Sequence, residues 1–561
     1  MAAPSPPSPG AGAQEQQREQ QRQQQRDDGL RRQQQPTPDV RLQAPAPSKA
    51  SDRLPADEAP CFPIQGLALQ GDDAQRFQWA LDAAGRIAAH EADSVMGRCL
   101  GSQGVHIVVG RIQNAIIERG YVTTRVMAPP QNLSEGTLTL TVLPGRIRAI
   151  RLATDSTTDR ARLWNAVPAR AGDVLNLRDI EQGLENMERL PTAQAIVQIE
   201  PAEGPNAQPG ESDLVIRWTQ ERFFRVTASV DDSGSKATGK YQGNVTLSYD
   251  NWWTLNDLFY ANVGHDLGGG QQGSRGTRSQ SFHYSLPFGY WLLAWNAGDS
   301  SYHQEVAGDD GRFTYSGTSQ NSDIRLSRLF YRDAVHKATF SVSGWQRASR
   351  NRVEDTELME QRRKMAGWQV GLTHRATWPG LTLDASMAYR RGTGAMGSLR
   401  ASEELMGTGT SRPRLLTADL QLARPFKVGD ASWRYAAALR GQWNQTPLLP
   451  QDRFAIGGRY TVRGFDGELS LAADRGWLIR NDLALALGHG THEMYVALDH
   501  GQVGGPSAQH LLGDKLTGAA FGMRGSIQRT SYDLFWGWPL HKPQGFQTAS
   551  SSGGFSLTWF Y

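Results

Sequence analysis

The chain has 561 residues, with 59 Lys and Arg against 56 Asp and Glu, for a formal net charge of +3. At roughly 100–200 residues per domain this is several domains, and the near-neutral balance argues against a general nucleic-acid binder. Hydrophobic residues make up only 39% and no window approaches 18 consecutive apolar residues, yet there are 60 Gly and 16 Trp; transmembrane helices are excluded, and the closed β-barrel remains as the spanning architecture that can hide in so polar a composition.

Residues 1–10 are rich in Pro, Ser and Ala and lack a basic start followed by an apolar core, so they do not read as a signal peptide. Residues 14–35 contain 11 Gln, and Arg18, Arg22 and Arg26 recur every four residues before Pro36. These are good helix formers and predict a helix with no apolar stripe; the competing reading is a disordered polar tail. Residues 36–60, rich in Pro, Ala, Asp and Ser, read as an extended linker.

Residues 61–144 and 145–220 read as two copies of one small α/β unit, each in the order strand, helix, helix, strand, strand. In the first, Phe62–Leu69 is a strand, Asp72 and Asp73 cap a helix reaching about Ala88, a helix over Val105–Arg119 stops at Gly120, and Val122–Met127 pairs with Thr137–Val142. In the second, Arg146–Leu152 opens, Asp159–Asn165 is a short helix, and Leu177, Ile180, Leu184 and Met187 stripe a helix ending at Pro191. Ala195–Ile199 and Leu214–Trp218 close the unit.

From residue 221 to 561 the period changes from 3.6 to 2. Val245, Leu247 and Tyr249 alternate with Asn244, Thr246 and Ser248, and the same pattern recurs over Leu381–Arg390 and Trp433–Trp443. Sixteen such strands can be placed, an even number that predicts a barrel wide enough for an aqueous lumen. Thirteen of the 16 Trp lie here, and Trp252, Trp253, Trp291, Trp295, Trp536 and Trp538 read as interfacial girdle residues. The runs Gly268–Gly276, Asp231-Asp232 and Asp309-Asp310 read as turns. The longest connection, 445–474, is of a length that usually carries function.

That connection contains Arg459-Tyr-Thr-Val462-Arg463-Gly464-Phe465-Asp466-Gly467. With two α/β units before a sixteen-stranded barrel, this closely resembles the two-partner secretion transporters of the POTRA-plus-barrel superfamily, of the haemolysin-exporter and contact-dependent-inhibition type. The resemblance implies that the loop folds into the lumen, with Arg463 partnered by an acidic residue on the thirteenth strand. Alternation of Met494, Val496 and Leu498 against Tyr495, Ala497 and Asp499 points to Asp499, with Asp482 and Glu493 as competitors; otherwise Arg463 is an exposed loop charge. The helix bearing Arg18, Arg22 and Arg26 becomes a lumen plug. Export to the periplasm permits a Cys61–Cys99 disulfide, two free thiols being the alternative. The ending Phe555-Ser-Leu557-Thr-Trp559-Phe-Tyr561 resembles an outer-membrane assembly signal.

No phosphate-binding, zinc-protease or serine-hydrolase motif is present. The expectation is a mainly β, non-enzymatic pore in the bacterial outer membrane, with its POTRA domains in the periplasm. It takes no cofactor or metal and exports a cognate exoprotein bearing an N-proximal secretion domain. Other expected partners are outer-membrane lipid and the outer-membrane assembly machinery, with no nucleic acid and no second copy. An outer-membrane insertase and a plain porin are the alternatives.

Overall fold

The computed structural model describes residues 10–35, 38–43, 53–88, 91–156, 162–308, 311–488 and 490–561. The reading of residues 1–9, of linker residues 36–37 and 44–52, of the Asp309-Asp310 turn and of the start of the helix expected from Asp159 falls outside them.

The two α/β modules share one sheet order. In the first, Gly66–Gln70 runs parallel to the central Thr137–Leu143, which pairs antiparallel with Arg125–Met127. In the second, Arg146–Leu152 runs parallel to the central Glu211–Gln220, which pairs antiparallel with Ala193–Pro201. Each sheet buries one face under its helices: α2 (Ser102–Glu118) contributes Ile107, Val108, Ile112 and Ile116, and α3 (Leu177–Glu188) contributes Leu177, Ile180, Leu184 and Met187. Helix α2 ends at Gly120, whose φ of 98° suits glycine. Asn176 caps α3 by accepting the Arg178 N–H at 2.8 Å.

Four local readings need correction. Phe62–Leu69 is split, because Phe62–Pro63 pairs instead with Cys99–Leu100. The helix expected to Ala88 is one α-turn, Ala74–Phe77, continued by a 3₁₀ segment, Gln78–Ala83. Asp73 is left-handed and makes no capping bond, because Gly71 and Asp73 form a tight turn there. Finally, Val122–Met127 shortens to Arg125–Met127, since Tyr121–Thr124 turns under Gly145.

The linker docks on the first module at its far end. Glu58 accepts the N–H groups of Gly101, Gln103 and Gly104 at 2.7–3.2 Å, supplying an anion to the α2 N-terminus. Asp93 accepts the Leu54 N–H at 2.8 Å and Arg111 Nη2 at 2.6 Å. Burial alone would raise the Asp93 carboxyl, but these donors bring it below its ordinary value. Its contribution to stability is therefore present above the unfolded carboxylate range and is lost as pH falls through the depressed folded value. Cys61 and Cys99 are joined by a disulfide.

The remaining strands close into a barrel of sixteen, from Phe224–Asp231 to Ser552–Phe560, with an extra two-residue strand on the seventh. Alternation decides the faces. Val245 and Leu247 are 54% and 52% exposed on the outer wall, while Thr246 and Ser248 are 2% and 0% exposed within. The closing seam is short, pairing Thr227–Asp231 with Ser556–Phe560. Strands five to seven (Trp291–Gly308, Gly311–Arg332, His336–Val353) extend well beyond the ~9–11 residues needed to cross a bilayer. The second module sits on the rim where the first strand begins, the near rim. There Asn165 Nδ2 donates to Leu255 O at 2.6 Å and Asn186 Nδ2 to Gly289 O at 2.7 Å.

Helix α1 (Gly10–Gln34), ~37 Å long at ~1.5 Å per residue, lies inside the barrel. Its Gln34 bonds Thr227 and Ser248, and Gln35 beyond it bonds Tyr260, all on inward faces at 3.0–3.2 Å.

Replacing Cys61 and Cys99 by Ser removes a cross-link across 38 positions, which costs about 2–4 kcal/mol. We expect the first module to become protease-sensitive at lower temperature while the barrel keeps its heat-modifiable migration on gels. Unchanged proteolysis would show that the bond adds nothing to the domain.

Candidate functional site in the barrel lumen

The connection between the eleventh strand (Ala431–Asn444) and the twelfth (Arg475–Leu487) folds inward onto a small apolar patch of the inner wall formed by Leu478, Val503 and Leu516. Phe454–Ile456 and Leu471–Ala473 form a small hairpin. Phe454, Ile456, Val462, Phe465 and Leu471 pack with Leu478, Val503, Leu516 and Phe546 into a dry cluster inside the otherwise polar barrel.

Glycine lets the tip approach the wall. Gly464 has φ 94°, and a Cβ there would lie 2.3 Å from Trp538 O. A Cβ on Gly518 would lie 1.9 Å from Arg463 O, and one on Gly537 would lie 2.9 Å from Gly464 Cα. Loop and wall therefore meet backbone to backbone between the fourteenth strand (Lys515–Ile527) and the fifteenth (Thr530–His541), a contact that any larger residue at these positions forbids.

This approach delivers Arg463, 3% exposed, onto two carboxylates. Its Nε and Nη2 donate to Asp499 Oδ2 and Oδ1, both at 2.7 Å, and its backbone N–H donates to Asp499 Oδ2 at 3.0 Å. Nη2 also donates to Asp482 Oδ1 at 2.6 Å. Asp499, on the thirteenth strand (His492–Gly504), is completely buried. The planar guanidinium fork matches this bidentate geometry, which a lysine could not reproduce. Charges of alternating sign continue along the inner wall. Arg524 bonds Asp482 at 3.2 Å and Glu493 at 3.0 Å, and Arg434 bonds Glu493 at 2.5 Å. Of the two competitors to Asp499, Asp482 is thus a second acceptor for Arg463, whereas Glu493 serves Arg434 and Arg524.

The second arginine of the motif has its own partner, which sequence reasoning missed. Arg459 Nη1 donates to Asp232 Oδ1 at 2.6 Å and to Phe555 O at 3.3 Å. Asp232 is therefore more than a turn residue: its carboxylate also accepts the Phe555 N–H at 2.9 Å, where pairing between the first and last strands stops. The repeat of Arg four residues before Arg463 was the available signal.

Helix α1 meets the same loop. Arg22 Nη2 donates to Gly467 O at 2.9 Å, and Gln21 Nε2 donates to Arg453 O at 3.2 Å. Arg22 and Arg26 both hold Glu19, at 3.3 and 2.8 Å, and Glu19 accepts the Thr238 hydroxyl at 3.1 Å. Arg18 lines a cavity of about 220 Å³ with Arg22, Asp232, Arg459 and Glu468. Glu19, a lone acid amid the arginine repeat, is the other residue the sequence reading left without a role. At the C-terminus Leu557, Trp559 and Tyr561 are exposed on the outer wall, and Phe555 packs near Tyr241, ring centres 6.1 Å apart. Cys61 and Cys99 belong to the separate first module.

The haemolysin secretion/activation protein family model (ShlB/FhaC/HecB) matches residues 210–525. POTRA-domain models match residues 62–145, in the ShlB type, and 146–201. The chain is 37% identical over 541 residues to the outer membrane transporter CdiB-2 of Burkholderia pseudomallei, covering 93% of this chain and 90% of that one. It is 25% identical to the hemolysin transporter protein ShlB of Serratia marcescens, over 81% of this chain and 76% of that one. Among solved structures, CdiB from Acinetobacter baumannii superposes with a TM-score of 0.85 at 30% identity, over 99% of this chain and 100% of that one.

Breaking a buried ion pair from one side costs about 3–5 kcal/mol, less where water reaches it. Asp499→Asn should therefore free the loop more than Asp482→Asn, since Asp499 takes three of the Arg463 bonds and Asp482 remains held by Arg524. Limited proteolysis within 445–474 reads this directly; equal cleavage in both variants would show that the two carboxylates share the hold, and greater cleavage in Asp482→Asn would assign it to Asp482.

Proposed function

The chain belongs to the haemolysin secretion/activation (ShlB/FhaC/HecB) family, so it is an outer-membrane transporter that exports a partner protein, and we propose the following division of that task among its residues. Residues 61–144 and 145–220 are the two periplasmic POTRA domains, the near rim is the periplasmic mouth, and 221–561 is the pore. The plug occupies 1–35, the linker 36–60 and the inward loop 445–474. The pore does no covalent chemistry and works as a monomer.

The observation that carries this reading is the character of the plug. Helix α1 is held to loop and wall by hydrogen bonds of Gln21, Arg22, Glu19 and Gln34, with no apolar stripe packed against the wall. Each such bond has a net worth of only about 0.5–1.5 kcal/mol, because water replaces the partner. A lumen filled this way can be emptied without exposing apolar surface. Arg463, bound to Asp499, holds Val462, Gly464 and Phe465 against the wall until an entering chain rearranges the loop. Arg22 ties the plug to the loop at Gly467 O, Arg26 braces the Glu19 that bonds Thr238 on the wall, and Arg18 lines the cavity between plug and loop.

The partner is a large exoprotein with an N-proximal secretion domain, handed over unfolded by the POTRA pair. The similarity to CdiB transporters favours a contact-dependent inhibition toxin over a haemolysin or adhesin. With no nucleotide motif in the chain, folding of the partner outside supplies the direction. Phe555, Leu557, Trp559 and Tyr561 present the last strand to the outer-membrane assembly machinery.

In planar bilayers, deletion of residues 1–35 should raise the steady conductance severalfold; an unchanged conductance removes the plug role. In cells producing the neighbouring exoprotein, Arg463→Ala should abolish its secretion while a heat-modifiable barrel remains in the membrane, and normal secretion would refute the role of the loop.

A further inference from the structure

Just past the plug helix, residues 38–43 lie between the second POTRA domain and the barrel mouth, with Val40 and Leu42 bonded to the domain and Asp39 and Arg41 to the barrel in alternation. Their main chain is recognised in a regular way. The N–H of Val40 donates to Glu185 Oε1 at 2.9 Å, and the N–H of Leu42 donates to Glu181 Oε1 at 2.8 Å. The carbonyl of Val40 accepts Arg332 Nη2 at 2.6 Å. Both glutamates lie on α3, and Arg332 ends the sixth barrel strand, so domain and barrel together make one receptor. Arg332 joins the two glutamates, at 2.9 Å to each, and Lys337 also reaches Glu185. Val40 and Leu42 pack against the core of the second POTRA domain. On the opposite face Asp39 meets Lys337 and accepts the Thr377 hydroxyl at 3.0 Å, while Arg41 donates to the carbonyls of Asp333 and Ala334 at 3.1 and 2.7 Å.

Two N–H groups at i and i+2, a carbonyl at i, and apolar side chains at i and i+2 are the signature of an extended strand read through its backbone. Toward the second POTRA domain the strap offers only the apolar pair Val40 and Leu42, while Asp39 and Arg41 bond the barrel rim. We propose, resting on the export reading above, that this is a docking site for extended segments of the exported chain with apolar residues at alternate positions, filled in the resting protein by its own Asp39–Leu42.

Two physical arguments favour exchange of one occupant for another. Vacating the site would take a donor from each of two buried carboxylates, Glu181 at 0% and Glu185 at 8% exposed, and an acceptor from Arg332. Such groups are costly to leave short of partners, and any other extended chain restores them. Gln34, the last residue of helix α1, is only four residues from Pro38, a covalent reach of at most ~14 Å. A chain that displaces Asp39–Leu42 therefore pulls on the plug from the side on which it enters.

The test uses the full-length protein in cells producing the neighbouring exoprotein, with a photoreactive benzoylphenylalanine replacing Ala334, which offers the strap only its backbone carbonyl. During secretion this position should cross-link to the exoprotein, and V40D/L42D, which weakens the resident strand and leaves the receptor intact, should raise that adduct severalfold. Secretion without any such adduct, or an adduct indifferent to V40D/L42D, overturns the proposal. If no strain brings exoprotein to the surface, the export reading falls, and the docking site with it. A separate arm uses purified V40D/L42D protein. A labelled peptide with the sequence of residues 38–43 should bind, and the same peptide with Asp at both apolar positions should not; equal binding of the two overturns the site.

Discussion

The guanidinium of Arg463 is the point on which the inside of the barrel depends. A sixteen-stranded barrel has an inner wall that is polar at every second residue, so a loop entering it finds little apolar surface to rest on. The rigid guanidinium fork, set against buried Asp499 and shared Asp482, fixes the loop tip beside the apolar patch it packs on. Once the loop is placed, its other contacts follow. Arg459 reaches the closing seam, Gly467 offers its carbonyl to the plug, and the small cluster around Phe465 becomes dry.

The contacts differ in how readily they can be undone, and the difference follows from what each would leave behind. The loop tip is fixed backbone to backbone at Gly464, Gly518 and Gly537 and by an ion pair with a fully buried partner. Helix α1 touches loop and wall through the polar ends of Gln21, Arg22, Glu19 and Gln34, groups that water can also satisfy. Between them sits the strap Asp39–Leu42, bonded to both the second POTRA domain and the barrel, so occupancy of the mouth and of the lumen are linked through a few residues of chain.

Much of this was legible in residue order. The sixteen alternating segments, the α3 stripe Leu177, Ile180, Leu184 and Met187, and the glycine stop of α2 each express a local rule whose period or residue type is enough to state it. Asp499 was legible too, since alternation on one strand puts it on the polar face. What escaped was set by residues far apart. Asp232 looked like a turn acid because nothing near it shows that Arg459 and Phe555 arrive there. Asp73 looked like a cap because its type is right, but its left-handed backbone turns the side chain away from the helix. Glu181 and Glu185 read as ordinary polar positions of an amphipathic helix, and only docking against Arg332 makes them a buried receptor.

The sequence by itself determined the class of the molecule: two α/β repeats, a polar helix and a wide barrel with one long connection. Periodicity and composition are local properties, and each element carries its own record of which face is apolar. Only the tertiary structure decided the partners of the charges. Which carboxylate holds Arg463, which acid latches the seam and where the linker lies depend on strand register and closure, which bring residues tens to hundreds of positions apart within one hydrogen bond. At that distance direction and burial matter as much as residue type, and neither is written in the order of residues.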